Sequence, residues 1–558
     1  MELLKSLILL LAGVGVFIVG MNMMSEGLEK GAGGGLKKLL AKISNNRFLG
    51  VGIGAGTTAI IQSSSATTVM VIGLVNAGVI TLFQAISVIM GANIGTTVTG
   101  LIVALSGQKG AISFSDIAII MAFVGVMMMF VKKDKVKLIG SIICGLGVIF
   151  VGLDIMSGAL DASNNPEIIS LFQNIFSAID FPLLLILFGA LFTALIQSSS
   201  AATGIIIVMA GGGIIPVETA LFIVLGTNIG TCVTALLACL GTGTNAKRTA
   251  FIHFTFNLIG TIIFTAILWP TGPWFASILS GFKTVEMQIA IFHVIFNVTT
   301  TLLLIPFVKL LEKLSMFVIK DHKKDEEELH LKFIDDRLLS TPAVALMQVK
   351  NEIEYMASLA HDNMNKAFDL LVTQDAKLHD EIYKRENLIN FTNHQVTKFL
   401  IKLSPLVNEA DEKVIGSYFH VVNDIERIGD HAKNFVDIGV EMKEQSLLYS
   451  DAAYEELKLM YSKLSQMFEI AMDAFDHKSS SHLNELTKLE EEVDGFKSHL
   501  SAQHFARLSM GDCKIELSAY FHSTVSGLER VGDHLVNIGY SILNPTGSQS
   551  LAKKKNKI

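Results

Sequence analysis

One polar string, present twice, constrains this chain more than any other feature. Gln62-Ser63-Ser64-Ser65-Ala66-Thr67 lies within Phe48–Gln108, where no side chain is charged, and it returns as Gln197-Ser198-Ser199-Ser200-Ala201-Ala202-Thr203. A glutamine followed by three serines cannot face lipid, because each hydroxyl or amide left unpaired in hydrocarbon costs several kcal/mol. The strings must therefore face protein, water or a ligand. Each is flanked on both sides by roughly a dozen apolar residues, and at ~1.5 Å per residue such an arm reaches about half of the ~30 Å hydrocarbon core. Phe48–Val75 and Pro182–Met209 thus read as re-entrant helical hairpins, each entering and leaving on one face of a membrane.

Charge is unevenly spread along the chain. The first 310 or so residues are nearly uncharged between short basic loops, while the remainder is rich in Lys, Asp and Glu, which predicts a membrane domain followed by a soluble one. Candidate spans are Leu7–Met24, Ile80–Leu105, Asp116–Val131, Leu138–Leu160, Pro216–Leu240, Thr249–Trp269 and Met287–Leu311. The first lacks a small-residue cleavage site and reads as a retained helix rather than a signal peptide. Cys144, Cys232, Cys239 and Cys513 have neither paired nor metal-type spacing, so no chemistry is assigned to them.

The duplication extends beyond the strings. Gly13–Gly20 resembles Gly145–Gly152, and Gly91-Ala92-Asn93-Ile94-Gly95-Thr96-Thr97-Val98-Thr99 returns 135 residues later as Gly226-Thr227-Asn228-Ile229-Gly230-Thr231-Cys232-Val233-Thr234. Three crossings, an odd number, separate the start of one half from the start of the other, so the halves should be inverted. Basic residues place the loops after the first, third and fifth spans in the cytoplasm: Lys30, Lys37, Lys38, Lys42 and Arg47, then Lys132, Lys133, Lys135 and Lys137, then Lys247 and Arg248. The loop Asp161–Asp180, without Lys or Arg, then falls outside, giving an external N-terminus, seven crossings and a cytoplasmic C-terminal part.

On this topology two hairpin tips converge near the bilayer midplane with two helices expected to break at Asn-Ile-Gly-Thr. Broken helices expose N–H groups at one end and carbonyls at the other, which suits an anion and a cation together. Hydroxyls, the Asn93 and Asn228 amides and freed carbonyls are hard neutral oxygen donors that suit sodium. Neither hairpin carries a carboxylate, which argues against a proton relay. No Lys or Arg occurs in Phe48–Gln108 or Phe181–Ala246, so an anion there must be held by backbone N–H groups, hydroxyls and co-bound cations. The bland alternative, that such residues pack helix interfaces, is weakened by their near-identical duplication. His253 and His293 read as hydrogen-bonded packing residues, and Asp154 as interfacial.

Two QSSS strings in related halves, each followed by N-I-G-T, resemble the sodium-dependent phosphate cotransporter family, which includes the type II transporters of animals and many bacterial members. The resemblance covers about residues 7–311 and implies sodium-coupled symport of inorganic phosphate. Carried over residue by residue, it implies substrate and sodium ligands at Gln62, Ser63, Ser64, Ser65, Gln197, Ser198, Ser199 and Ser200, with Asn93, Thr96, Asn228 and Thr231 beside them. Thr67 and Thr203, in the same strings, join this candidate set. The sequence departs from symmetry at Cys232, where the first half has Thr97.

After a charged linker, six amphipathic helices are predicted: Pro342–Thr373, Ala376–Leu403, Asp411–Glu444, Ala452–His477, Ser481–Met510 and Lys514–Leu543. They form a second duplication, since Asp424-Ile425-Glu426-Arg427-Ile428-Gly429-Asp430-His431 returns 103 residues later as Gly527-Leu528-Glu529-Arg530-Val531-Gly532-Asp533-His534. Glu and Asp four apart share a helix face, so two such helices offer Glu426, Asp430, Glu529 and Asp533 to a divalent cation; the alternative is solvated salt bridging with their arginines. The pattern resembles PhoU, an all-helical phosphate-signalling protein, and that resemblance implies iron or zinc at these four residues.

The expectation is thus an all-α protein: a polytopic membrane domain (1–315, repeats about 7–131 and 138–311) with two inverted repeats, each holding a re-entrant hairpin. A charged linker (316–341), a cytoplasmic PhoU-like domain of two three-helix repeats (342–544) and a basic tail (545–558) follow. Its partners would be inorganic phosphate, sodium and the lipid bilayer of the cell membrane, with no nucleic acid and with a homodimer left open. Rival readings are symport of another oxyanion such as sulfate, arsenate or a small carboxylate, and a membrane phosphate sensor that does not transport. An enzyme has least support, because the chain shows no nucleophile–base pair, phosphate loop or catalytic metal motif.

Overall fold

In the computed structural model every described element is helical, and the description covers residues 2–40, 42–43, 45–105, 114–160, 170, 172–174, 176, 179, 181–320, 329–374, 377–477, 479–541 and 543. Most of the loop Asp161–Asp180, linker residues 321–328 and the tail 545–558 lie outside them. Two units result: Met1–Lys324 with Asp335–Val344, and Asp325–Ile334 with Ala345–Ile558.

The first unit contains α1 (Glu2–Leu40), α2 (Arg47–Ile61), α3 (Ser64–Asn76), α4 (Leu82–Ala104), α5 (Phe114–Met129) and α6 (Asp134–Ala159). It continues with α7 (Pro182–Ile196), α8 (Ser199–Gly211), α9 (Val217–Ala238), α10 (Thr244–Leu279), α11 (Val285–Leu304) and α12 (Val308–Val318). Among the described residues, six segments are long and apolar enough to cross a membrane: Leu4–Gly31, Leu82–Ala104, Asp134–Ala159, Val217–Ala238, Thr244–Leu279 and Val285–Val318. The seventh candidate, α5, has 16 residues, which at ~1.5 Å per residue falls short of the ~30 Å core. Its apolar side chains Ile119, Ile120 and Phe123 are nevertheless exposed, as lipid contact requires.

Each QSSS string separates two helices, α2 from α3 and α7 from α8. The Asn-Ile-Gly-Thr helices, in contrast, do not break, and α4 and α9 run continuously through Asn93 and Asn228. This corrects the sequence expectation. Asn93 Nδ2 donates to the Ile89 carbonyl (3.0 Å) and Asn228 Nδ2 to that of Val224 (3.1 Å), so these amide nitrogens are bonded within their own helix. The glycines serve close packing instead. A Cβ at Gly91 would stand 2.0 Å from the Val51 carbonyl oxygen of α2, and one at Gly226 2.0 Å from that of Ile186 in α7. Both hairpins are thereby clasped to their following helix at equivalent points.

The packing then crosses between halves. α3 lies against α4, α9 and α10, whereas α8 lies against α9, α4 and α11. Exchanging α3 with α8, α4 with α9 and α10 with α11 reproduces the list, so α11 is the structural counterpart of α10.

The segment 335–341 packs in this first unit. Asn76 Nδ2, at the end of α3, donates to Asp335 (2.9 Å), and Arg337 donates to the carbonyls of Ala238 (2.5 Å) and Leu240 (3.1 Å) at the end of α9. Leu338 is fully buried, and Gly73 leaves room for it. A short helical turn, Asp336–Ser340, therefore ties one arm of the first hairpin to α9.

The second unit comprises α13 (Pro342–Thr373), α14 (Lys377–Leu403), α15 (Glu409–Glu444), α16 (Asp451–His477), α17 (Leu483–Met510) and α18 (Leu517–Tyr540). Apolar residues at helical spacing, such as Val421, Ile425, Ile428, Ala432 and Phe435 on α15, form its core. Buried Glu352 accepts from the backbone N–H groups of Lys332 (3.0 Å), Phe333 and Ile334 (3.2 Å), fixing residues 332–334 to α13.

Candidate functional site

The two hairpin tips have the same backbone. Gln62 closes α2 at φ 58°, ψ 21° and Gln197 closes α7 at φ 57°, ψ 20°. A left-handed residue other than glycine costs ~1–3 kcal/mol, and such strain tends to persist where the side chain is needed. Ser63 and Ser198 then cap the next helix, their Oγ atoms accepting from the backbone N–H of Ala66 (3.1 Å) and Ala201 (3.2 Å). The N–H groups of the first turn of α3 and α8 are consequently presented at the tips beside the hydroxyls of Ser64, Ser65, Ser199 and Ser200. Such a helix start favours an anion. Ser25 of α1 donates to the Ile61 carbonyl at the C-terminal end of α2.

Partners differ between the halves. Gln62 is buried, its Nε2 donating to the Ala59 carbonyl (2.6 Å) and its Oε1 accepting from Thr99 Oγ1 (2.9 Å). Gln197 is exposed. Thr234, the counterpart of Thr99, donates instead to Ser65 Oγ of the other hairpin (3.2 Å), which brings the first tip onto α9. Thr67 pairs with Thr58 (3.1 Å) and Thr203 with Thr227 (3.2 Å), each between a hairpin helix and its neighbour.

Asn93, Thr96, Asn228 and Thr231 are buried in α4 and α9, against which both second hairpin arms pack. Thr96 and Thr231 bond their hydroxyls back to Ala92 (3.1 Å) and Thr227 (3.0 Å). Sequence reasoning missed Thr99 and Thr234, although both close the repeated nonapeptide; a Thr three residues after Thr96 or Thr231 shares the site-facing side of the helix. His253 and His293 are fully buried, but among the described residues the Nδ1 of neither has a hydrogen-bond partner, which departs from the hydrogen-bonded packing expected of them.

In the second unit the acidic pairs gain neighbours from the preceding helix. Glu386 of α14, 3% exposed, stands over Gly429, where a Cβ would lie 2.6 Å from its Oε2. Burial and then the charges of Asp430 and Glu426 push its carboxyl up to about 7. Glu426 is also raised, by burial and then by Asp430. The second repeat groups Glu490 and Asp494 with Glu529 and Asp533; burial first, then mutual repulsion, raises Glu490, Asp494 and Asp533. Lys497 lies 3.1 Å from Glu529. Among the described residues, however, no three His, Cys, Asp or Glu side chains are grouped closely enough to hold a metal ion. The geometry thus gives no support to divalent metal at Glu426, Asp430, Glu529 and Asp533.

Glu386 allows a test of that arrangement. A carboxyl raised to about 7 in the fold but near 4.5 when unfolded contributes fully below the lower value and loses that contribution as pH rises through the upper one. Glu386→Gln is therefore expected to stabilise α14 and α15 by on the order of 1–3 kcal/mol at pH 8 and not at pH 4.5. Hydrogen exchange of these helices in the full chain, variant against parent at each pH, reads the difference; equal protection at pH 8 would contradict it.

Comparison with known proteins gives a consistent pattern. The Na+/Pi-cotransporter family profile matches residues 16–158 and 170–293, and the PhoU domain profile matches 353–438 and 457–542. YjbB of Escherichia coli (strain K12), named for inorganic phosphate export, is 24% identical over 547 residues, 96% of this chain and 97% of its own length. YqeW of Bacillus subtilis (strain 168) is 33% identical over 307 residues, 54% of this chain and 95% of its own. The sodium-dependent phosphate transport protein 2C of Mus musculus is 46% identical over 84 residues, 14% of each chain.

Proposed function

The chain belongs to the Na+/Pi-cotransporter family and carries a PhoU domain, and on that premise we propose that it couples inorganic phosphate movement to sodium across the cytoplasmic membrane. The family is one of transporters, so the enzyme reading falls away. The observation that best supports the site is the pair of matched hairpin tips, each a strained glutamine followed by a capped helix start.

In this reading phosphate is held by backbone N–H groups and hydroxyls of Ser64, Ser65, Ser199 and Ser200, with Gln62, Gln197, Ser63 and Ser198 shaping the tips. Sodium supplies the positive charge that the uncharged hairpins lack, using hydroxyl and carbonyl oxygens that include Thr67, Thr203, Asn93, Thr96, Asn228 and Thr231. The unequal settings of Gln62 and Gln197 suit a pair of gates that alternate. The N-terminus lies outside and the PhoU domain in the cytoplasm, where it senses or regulates; single cysteines at Asn45 and Asn164 should label from opposite sides, and labelling from one side would refute the inverted arrangement.

A second reading concerns direction. YjbB is named for phosphate export, and a coupled carrier runs whichever way its combined gradients favour. Proteoliposomes loaded with labelled phosphate separate the two, because an outward sodium gradient should drive efflux through the same site. Competition by sulfate or arsenate tests anion choice, and absence of any counterflow would leave a sensor that does not transport.

A further inference from the structure

A third duplication lies in helices that the hairpin reading does not use. His253-Phe254-Thr255-Phe256-Asn257-Leu258-Ile259-Gly260-Thr261 of α10 returns 40 residues later in α11 as His293-Val294-Ile295-Phe296-Asn297-Val298-Thr299-Thr300-Thr301. The structure gives the two stripes the same setting. Thr261 Oγ1 donates to the Leu225 carbonyl of α9 (3.4 Å) and Thr301 Oγ1 to the Met90 carbonyl of α4 (3.3 Å), and Leu225 and Met90 are themselves counterparts. The helices meet at equivalent residues: a Cβ on Gly260 would stand 2.6 Å from Thr300 Cγ2 and 2.8 Å from its Oγ1.

Both stripes hold polar atoms that no described residue satisfies. His253 Nδ1 and Asn257 Oδ1 on α10, and His293 Nδ1, Asn297 Oδ1 and Thr300 Oγ1 on α11, are buried without a hydrogen-bond partner among the described residues. Four of these five recur in pairs, Gly260 standing where the other stripe has Thr300, and each is at most 1% exposed. An orphaned buried acceptor costs ~1–3 kcal/mol, and several on one stripe at the depth of a membrane span call for a ligand. The acceptors are neutral and mostly oxygen, and neither stripe carries a carboxylate, which suits a small monovalent cation better than a divalent one.

The two stripes are not equal. On α10, Gly260 replaces Thr300, and Asn257 Nδ2 contacts the thiol of Cys232 (3.4 Å), the residue that stands where α4 has Thr97. On α11 the stripe keeps its extra hydroxyl, Thr300 Oγ1 lying beside Gly260 of α10, while His293 faces α4, where Gly100 leaves its Nδ1 3.7 Å from the position a Cβ would take. We propose that α11 carries a sodium site apart from the hairpin tips, with Asn297 Oδ1 and Thr300 Oγ1 as ligands and His293 Nδ1 as a neutral acceptor on the same stripe.

This proposal rests on the sodium-coupled reading above, and its test keeps the two apart. The full-length protein in detergent, free of phosphate, is titrated with sodium chloride at constant ionic strength against choline chloride, and the melting temperature is followed. Asn297→Ala and Thr300→Val should each raise the sodium concentration for half-maximal stabilisation about tenfold or more, Thr300→Ser should restore it, and Asn257→Ala should move it less than threefold. Thr300→Val keeps the side-chain shape, so the test stands even if Asn297→Ala does not fold. Parental midpoints in Thr300→Val would overturn the site while leaving sodium coupling intact; no sodium stabilisation of the parent protein would overturn both.

Discussion

Ser64→Ala combined with Ser199→Ala is expected to lower sodium-dependent phosphate uptake by roughly a hundredfold or more while the protein stays folded. A hydrogen bond to a charged partner is worth about 1.5–3 kcal/mol, and about 1.4 kcal/mol is a factor of ten, so two such bonds to an anion account for the loss. The choice of serines matters. Ser63 and Ser198 cap α3 and α8, so replacing them costs roughly 0.5–2 kcal/mol of helix stability and confuses folding with binding. Ser64 and Ser199 sit one residue further on, buried in the first helical turn and outside the caps. Uptake at the parental rate in the double variant, measured at equal reconstitution density, would remove the hairpin serines from the site.

The second large effect concerns where the transport part ends. A chain ending at Val344 should transport phosphate within about threefold of the whole protein, whereas one ending at Lys320 should lose tenfold or more, a loss of at least about 1.4 kcal/mol. The difference lies in the segment that binds Asn76 through Asp335 and the carbonyls of Ala238 and Leu240 through Arg337. Arg337 is also paired with Asp335 at 2.7 Å, so its removal leaves helix-end carbonyls and a carboxylate without their cation. Because α3 and α9 each carry candidate site residues, loosening their ends displaces Ser65 from Thr234. Arg337→Ala in the full chain should reproduce part of the loss. Equal uptake by the two shortened chains would make this segment a passive linker.

Much of the architecture was legible because repetition and polarity act together. A string of hydroxyls inside an uncharged stretch argues for a protected break rather than a lipid-facing helix, and the structure interrupts the helix at both strings. The Asn-Ile-Gly-Thr strings misled in the physical sense: glycine suggests a break, yet Gly95 and Gly230 mark where another backbone comes within van der Waals reach, a Cβ there standing 2.6 Å from the Ala55 carbonyl oxygen and 2.4 Å from that of Ala190. The Nδ2 groups of Asn93 and Asn228 are taken up by their own helix, a solution available to any isolated Asn in a span. Thr99 and Thr234 were present in the repeated motif, but their unlike partners could not be foreseen, since identical sequence positions take different settings in the two halves. The third carboxylate over Gly429 was hidden for a simpler reason, as Glu386 comes from another helix and only tertiary packing brings it there.

Transport itself is tested most directly by radiolabelled phosphate uptake into proteoliposomes holding the full-length protein. With an inward sodium gradient, accumulation should exceed equilibration and should collapse when choline replaces sodium or when the gradient is dissipated. Uptake that is the same with and without sodium, or no uptake above protein-free vesicles, would contradict sodium-coupled phosphate transport by this chain.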